Sequence, residues 1–290
     1  MAYGRHQSFY IKNNWINKGI KAVEFDSSLF NSVNNFRELG IGKNMFIALK
    51  YWLEAFNIVV SDKHHFELTN FGRYIKKFDP TCEKSFTNNL LHYYLTLGQP
   101  INGYDKSHSF YFLFNEYGNK SFSKEELINA VINWDTSLTG RSTSEKTIAK
   151  DIDCLIQTYT KSEKNHPEDI NVSTLSKLHL IKKNKDYYTK TSIKRENLSL
   201  EVIYYILLKL VQNNGSNFLE LETLENSEMS PGRLYNMTRI DIIDAIEELI
   251  SQGYPITISR TNNLDTVSIN DSLKSEEFIG ICFINGGVYG

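Results

Sequence analysis

Apolar residues recur along this chain with two different periods, and the switches between them set the expected elements. From Lys43 the spacing is helical: Met45, Leu49, Trp52 and Phe56 form one stripe, with Phe46 and Leu53 beside it. Ile58-Val59-Val60 changes to strand spacing, a polar tip at Ser61 to His65 follows, and Phe66 to Thr69 is a second short strand. Upstream, Leu29, Val33 and Phe36 mark another apolar period, and Gly40 and Gly42 break the chain before Lys43. Helix, short turn, helix, two-stranded ribbon is the order of a winged helix-turn-helix, in which the second helix enters the DNA major groove. The same architecture also serves as a protein-docking module or a plain structural unit.

The pattern continues in this vein. Asn70 to Lys77 reads as a helix stopped at Asp79-Pro80, and Glu83 to Leu97 as an amphipathic helix with His92 beside its apolar side, a core position. Gly98 to Lys106 is a joint. Phe110 to Tyr117 is a helical aromatic run, and Ser123 to Glu126 is a capping-box pattern opening the helix of Leu127, Val131 and Trp134. Ser142 or Ser144 caps the next helix, which carries Ile148, Ile152 and Tyr159. Lys161 to Asp169 is polar and reads as a linker. Beyond it come a ribbon (Leu178 to Ile181 with Tyr187 to Thr189), an apolar helix (Leu200 to Val211), an amphipathic helix (Met237 to Gln252) and a hairpin (Ile256 to Ser259 with Val267 to Ile269). The glycine-rich apolar tail from Phe278 adds either an edge strand or an interface. The expected fold is mainly α with short β-ribbons, as tandem winged-helix-like units: an N-terminal arm and first winged-helix unit over 1–105, a second helix-turn-helix unit over 106–165, and a C-terminal winged-helix-like unit over 166–290.

Composition narrows the function classes. Hydrophobic residues are 41% and charged residues 23% of the chain, an ordinary globular balance. The formal net charge is −2, so any nucleic-acid surface must be a local patch offset by acidic stretches such as Leu219 to Glu228. Cys82, Cys154 and Cys282 lie far apart with no CxxC pair, which gives a zinc ribbon no support and suits a reducing cytoplasm. No apolar run reaches the ~20 residues of a membrane span, so the expectation is a cytoplasmic protein with no membrane partner.

The patches are visible. Arg5, His6, Lys12 and Lys18 interleave with Phe9, Tyr10 and Trp15, an arrangement suited to a nucleic-acid backbone with a stacked base. Phe9, Ile11 and Trp15 are expected to pack down while Arg5, His6 and Lys12 face out; an arm tied to the core by its aromatics explains the same pattern. Lys43 and Asn44 begin a helix, with Ile47 and Lys50 one turn further on, and lysine meets phosphate or guanine as asparagine meets adenine. Arg141, Ser144, Lys146 and Lys150 stand at another helix start, where phosphate contact and a solvated face are both open readings. Metal-ligand spacing is absent. Asp151 and Asp153 are two apart and cannot share a helix face, Asp241 and Asp244 fit a solvated face, and His64-His65 diverge at a ribbon tip.

The segments GRHQSFYIKNNWINKGIKAV, LGIGKNMFIALKYWLEAF, LTNFGRYI, DPTCE and LHYYL resemble a bacterial family long catalogued as of unknown function and encoded beside DNA phosphorothioation genes. The likeness is clear over about the first 110 residues. The functional parallel it implies is the DNA-nicking component of single-strand phosphorothioation systems, acting in phage defence. That resemblance implies DNA and other phosphorothioation proteins as partners, a divalent cation (Mg²⁺ or Mn²⁺) if the chain is a nickase, and His6 as the first candidate for a base or metal ligand. The family commonly has an acidic residue where this chain has Gln7, which counts against position 7 in either role. The rival expectation is a non-enzymatic regulator or adaptor that reads DNA through its winged units.

Overall fold

Local chemistry decides where the helices of this chain begin. A computed structural model describes residues 3–12, 14–62, 65–98, 107–140, 143–160, 172–261 and 264–285 of the 290. The expected joint at Gly98 to Lys106 and linker at Lys161 to Asp169 lie almost wholly outside those residues. The chain forms two compact units, Met1–Thr191 and Ser192–Gly290. It is mainly helical with short antiparallel ribbons, as the two periods imply.

The first unit opens with α1 (Trp15–Phe25), α2 (Lys43–Ala55), the ribbon β1 (Val59–Asp62) and β2 (His65–Leu68), then α3 (Asn70–Phe78) and α4 (Ser85–Thr96). Helix α1 crosses α2 closely because Gly19 offers no side chain: a Cβ there would stand 2.5 Å from a Leu53 methyl. The period of Leu29, Val33 and Phe36 does not form an α-helix. It folds as two 3₁₀ turns, Leu29–Asn31 and Val33–Arg37. Polar side chains there compete for the backbone: Ser32 Oγ accepts from Asn34 N–H (3.3 Å) and Asn35 Nδ2 donates to the Leu29 carbonyl (2.9 Å).

The chain continues through α5 (His108–Tyr111), which runs on as a wide helical turn over Phe112–Glu116, then β3 (Ser121–Ser123), α6 (Lys124–Thr139), α7 (Glu145–Tyr159), β4 (Ile181–Asn184) and β5 (Tyr187–Lys190). Ser123 and Glu126 close the expected capping box on α6. Strand β5 pairs with both β4 and β3, so the ribbon expected to begin the C-terminal part completes a three-stranded sheet of the first unit. The core beneath is aromatic. His92 belongs to it as expected, with Nδ1 2.7 Å from the Tyr159 hydroxyl and its ring edge-on to Phe114.

The second unit holds α8 (Leu200–Asn214), β6 (Phe218–Glu220), α9 (Leu221–Asn226), α10 (Pro231–Tyr235), α11 (Arg239–Ser251), β7 (Ile256–Thr261), β8 (Leu264–Ile269) and α12 (Ser275–Asn285). Its sheet order is β6-β8-β7. The described part of the tail, to Asn285, is helical, which overturns the edge strand that was one of its two expected roles. Phe278, Ile279, Cys282 and Phe283 of α12 are buried, and Tyr204 meets the Phe278 ring at 5.0 Å and the Tyr254 ring at 4.7 Å. Cys82, Cys154 and Cys282 are all free and buried, and burial is the first cause raising each thiol above its ordinary range.

Candidate nucleic-acid interface

The opening arm is held by carboxylates from distant parts of the sequence. Gly4 takes a left-handed φ of +74°, and Gln7 and Ser8 do the same at 51° and 64°. Side-chain residues adopt that conformation only where surrounding bonds over-determine it. Here Gln7 N–H donates to the Gly4 carbonyl (3.1 Å) and Phe9 N–H to the His6 carbonyl (2.8 Å). Ser8 N–H donates to His6 Nδ1 (3.0 Å), which leaves the ring proton on Nε2, 2.7 Å from Asp151 Oδ1. Asp151 also accepts from Gly4 N–H (2.6 Å) and from Ser109 Oγ (2.7 Å). A second buried acid, Asp135, accepts from Tyr3 (3.2 Å) and Thr143 (2.6 Å).

His6 was expected to face out, and it is only 1% exposed. Its outward placement fails because both ring nitrogens have partners inside: the imidazole ties the arm to α7. Ile11 and Trp15 pack down as expected, Phe9 is half-buried, and the Phe9 carbonyl accepts from Trp52 Nε1 (2.9 Å), which ties the arm to α2 as well. Arg5 and Lys12 stay half-exposed, and Lys12 Nζ lies 6.0 Å from the Trp15 ring centre.

So anchored, the arm brings Arg5 into the lining of a concavity of about 450 Å³. Helix α2 supplies one wall: Lys43, Ile47, Lys50 and Glu54 recur at helical spacing and all line it. Phe30 and Phe46, both buried and 4.9 Å apart between ring centres, also border it. Lys43 is exposed. Lys50 is half-buried, its ammonium 4.6 Å from the Phe66 ring centre and donating to the Phe30 carbonyl at 3.4 Å. Glu54 is buried and accepts from Ser61 Oγ (3.3 Å). Tyr51 completes the wall; burial first, and then the Asp151 carboxylate, push its phenol well above its ordinary range, so it stays neutral.

The structure thus brings Arg5, Lys43 and Lys50 to one concavity, although the first stands some forty residues from the others in sequence. Asn44 is exposed at the start of α2, where no side chain caps the helix, so its first amides are open to an anion. Lys18 lies elsewhere, in a second concavity of about 460 Å³ on α1, donating to the Leu39 carbonyl (3.2 Å). Lys146 is exposed at the start of α7, whose N-cap residue Ser144 makes no capping bond. Arg141 and Ser142 lie outside the described residues, as does His64; His65 Nδ1 stands 3.3 Å from Ser27 Oγ.

Sequence reasoning missed Asp151 and Glu54. Asp151 falls in phase with Ile148 and Ile152 on the apolar face of α7, and an acid in that position signals a buried partner. Among the described residues no three His, Cys, Asp or Glu side chains gather as a metal's donor set. Asp151 is already committed to three hydrogen-bond donors, so the arm cluster does not fit a divalent cation, and no step here is routed through one. Among them, too, no helix is long and apolar enough to cross a membrane.

A family model described as a protein of unknown function (DUF4007) matches residues 3–280. Two solved structures are similar in fold. One, an SspB crystal structure, has a TM-score of 0.84 at 21% identity, covering 98% of this chain and 88% of that one. The other, a magnesium ion-bound SspB crystal structure, gives 0.83 at 20% identity with the same coverage. No curated protein sequence matches.

Proposed function

The chain belongs to the DUF4007 family, and from that premise we propose that it is the DNA-binding component of a bacterial phosphorothioation and phage-defence system, nicking DNA so that the backbone becomes open to sulfur modification. The observation that carries the DNA-binding part is the convergence of Arg5, Lys43 and Lys50 in a chain of net charge −2. A chain without an attractive overall field has to concentrate its affinity in such patches. In this reading helix α2 is the reading helix and the β1–β2 ribbon its wing, with Asn44 at the helix start, while two 3₁₀ turns stand where a winged helix-turn-helix has its preceding helix. Lys12, Lys18 and Lys146 are proposed as separate backbone contacts, and Arg141 as another from its sequence position alone.

The nicking part rests on the resemblance of the opening segments to the DNA-nicking component of phosphorothioation systems, and the shared fold with SspB supports a role in such a system. The magnesium in one SspB structure makes Mg²⁺ the first cation to supply in the assay. His6 is assigned to holding the arm, since neither ring nitrogen is left to move a proton.

The test is conversion of supercoiled plasmid to open circles by purified protein with Mg²⁺ or Mn²⁺, run beside gel shifts over a salt series. Arg5→Ala and Lys43→Ala are each expected to weaken binding and to lower the salt slope by about one. Intact gel shifts without nicking in any metal would make the protein a regulator or adaptor. Unchanged slopes in both variants would remove this surface from DNA binding.

A further inference from the structure

Helix α1 buries one face in the first unit and leaves the other uncovered, ending on a phenyl ring. Its N-cap Asn14, then Lys18, Lys21 and Phe25 recur at helical spacing on that outer face. All four line the second concavity, of about 460 Å³. Phe25 is 90% exposed, more than any other large apolar side chain among the described residues. We infer that this face holds a single strand of nucleic acid, with an unpaired base stacked on Phe25 and the phosphates following α1 past Lys21 and Lys18.

The ring, the charges and the helix each select the same ligand. Trp15, Ile16, Ile20 and Val23 are buried on the inner face, so α1 is fixed and presents its outer residues from a rigid base. Stacking needs an open ring face, and Phe25 offers one. In an intact duplex each base is covered by its neighbours, so only an unpaired or terminal base can meet that ring. Lys18 Nζ donates to the Leu39 carbonyl (3.2 Å), which places one cation, and Lys21 is exposed about a turn further on. Against these two lysines the lining sets Glu38, which leaves it net positive. The helix dipole gives direction: its positive end lies toward Asn14 and its negative end at Phe25. Phosphates are therefore favoured over the early turns and an uncharged base over the last. From Asn14 to Phe25 the helix rises about 16 Å, room for several nucleotides. Charge also favours a polyanion over an apolar protein surface. Residues 1–191 hold twenty-five Lys and Arg against twenty Asp and Glu, and the remaining residues hold seven against fourteen. The stripe thus lies in the cationic unit, whose field draws a polyanion.

For its setting the inference rests on the DNA-binding proposal, since a nick frees strand ends that can leave the duplex; its own test needs no duplex. Fluorescence anisotropy would compare a short mixed-sequence single strand with an abasic strand of the same length, which keeps the phosphates and lacks the bases. Wild-type protein is expected to bind the base-bearing strand about tenfold more tightly. Phe25→Ala should remove that preference and leave the salt slope and melting temperature unchanged, whereas Phe25→Trp should keep it and add an emission that the strand quenches. Lys21→Gln should weaken both strands and lower the salt slope by about 0.7. Equal binding of the two strands by wild type, or Phe25→Ala retaining the preference, would overturn the inference. So would Phe25→Ala abolishing capture of an acidic Glu/Leu peptide while oligonucleotide binding persists, because the face would then dock protein. Blunt-duplex gel shifts judge the DNA-binding proposal separately, and Phe25→Ala should leave them unchanged. Stacking on single strands without any duplex binding would sustain this site and defeat that proposal; duplex binding without the base preference would do the reverse.

Discussion

In residues 108–190 a helix, a short strand, two helices and a hairpin follow one another, and the second hairpin strand lies between its partner and the short strand. Residues 200–269 repeat that order with one additional short helix, α10. The last helix before each hairpin occupies the same place in the order and carries different chemistry. Helix α7 shows Lys146 and Lys150 to solvent and turns Asp151 inward, where the carboxylate receives an arm from the other end of the unit. Helix α11 shows Asp244 and Glu247, and its Asp241 reaches back to close a capping box with Thr238. One helix commits a fully buried acid to holding a remote segment, and the other divides a half-buried acid between its own first turn and the Ser192 hydroxyl (2.9 Å). A repeated path is thus set by apolar spacing, and what each copy does is set by a few polar residues that the spacing tolerates.

The sharpest way to break that contrast is Asp151→Ala. It leaves His6, Gly4 N–H and Ser109 buried without their shared acceptor, and removing one member of such a buried cluster costs about 3–5 kcal/mol. Asp241→Ala removes the return bonds of a capping box and the half-buried Ser192 contact, together on the order of 1–2 kcal/mol. Denaturant unfolding of the full chain should show the first loss in the Met1–Thr191 unit and the much smaller second loss in the other. Equal losses would mean that the inward acid is no anchor. Next in size, His6→Ala should cost roughly 1–3 kcal/mol by orphaning one side of Asp151, and DNA affinity should fall with it, because Arg5 loses its support. A melting temperature unchanged alongside lost nicking would return His6 to chemistry.

The caps give a smaller test. Thr238→Ala should cost about 1 kcal/mol and Ser144→Ala only a few tenths, since Ser144 makes no capping bond. For nucleic acid, Lys146→Ala should lower the salt slope by about one while Glu247→Ala leaves it unchanged; equal effects would erase the electrostatic difference between the helices. The smallest expected effect is on pH. Burial raises the Asp241 pKa, but hydrogen bonds from the Thr238 amide, Ser192 and the Thr238 hydroxyl outweigh it and hold the folded value below the ordinary 3.8. That contribution is present above pH 3.8 and disappears as pH falls through the folded value. Asp241→Asn should lower the stability of the second unit near neutrality and flatten its acid unfolding, so that variant and wild type converge as pH falls through the folded value.

Much of this was legible in the chain. The ribbons at Ile58 to Thr69 and Ile256 to Ile269 fell where strand spacing put them, and Tyr187 to Thr189 is a strand as expected. Its partner, however, runs over Ile181–Asn184, because Thr174–Leu178 winds into a 3₁₀ turn. The capping box at Ser123 was equally local. Leu29 to Phe36 misled, because its apolar period matches a helix while Ser32 and Asn35 bond the backbone into tighter turns. The ribbon at 181–190 was placed with the wrong neighbours, because nothing in Tyr188 announces that it pairs with Phe122. The His6–Asp151 contact spans 145 residues, and no spacing rule reaches that far. Even so, an acid on the apolar face of α7 and another in phase with Lys43 and Lys50 were there to be read.

The three interior thiols have a use of their own as clocks. Cys82 and Cys154 report from the first unit and Cys282 from the second. Each is kept as an unreactive thiol by its surroundings, so a thiol reagent can reach it only during an opening event. Under a constant reagent concentration, the rate at which each sulfur is consumed measures how often its own surroundings come apart. Because two reporters sit in one unit and one in the other, a single labelling time course, read by peptide mass, would reveal whether the two halves breathe together or on separate schedules.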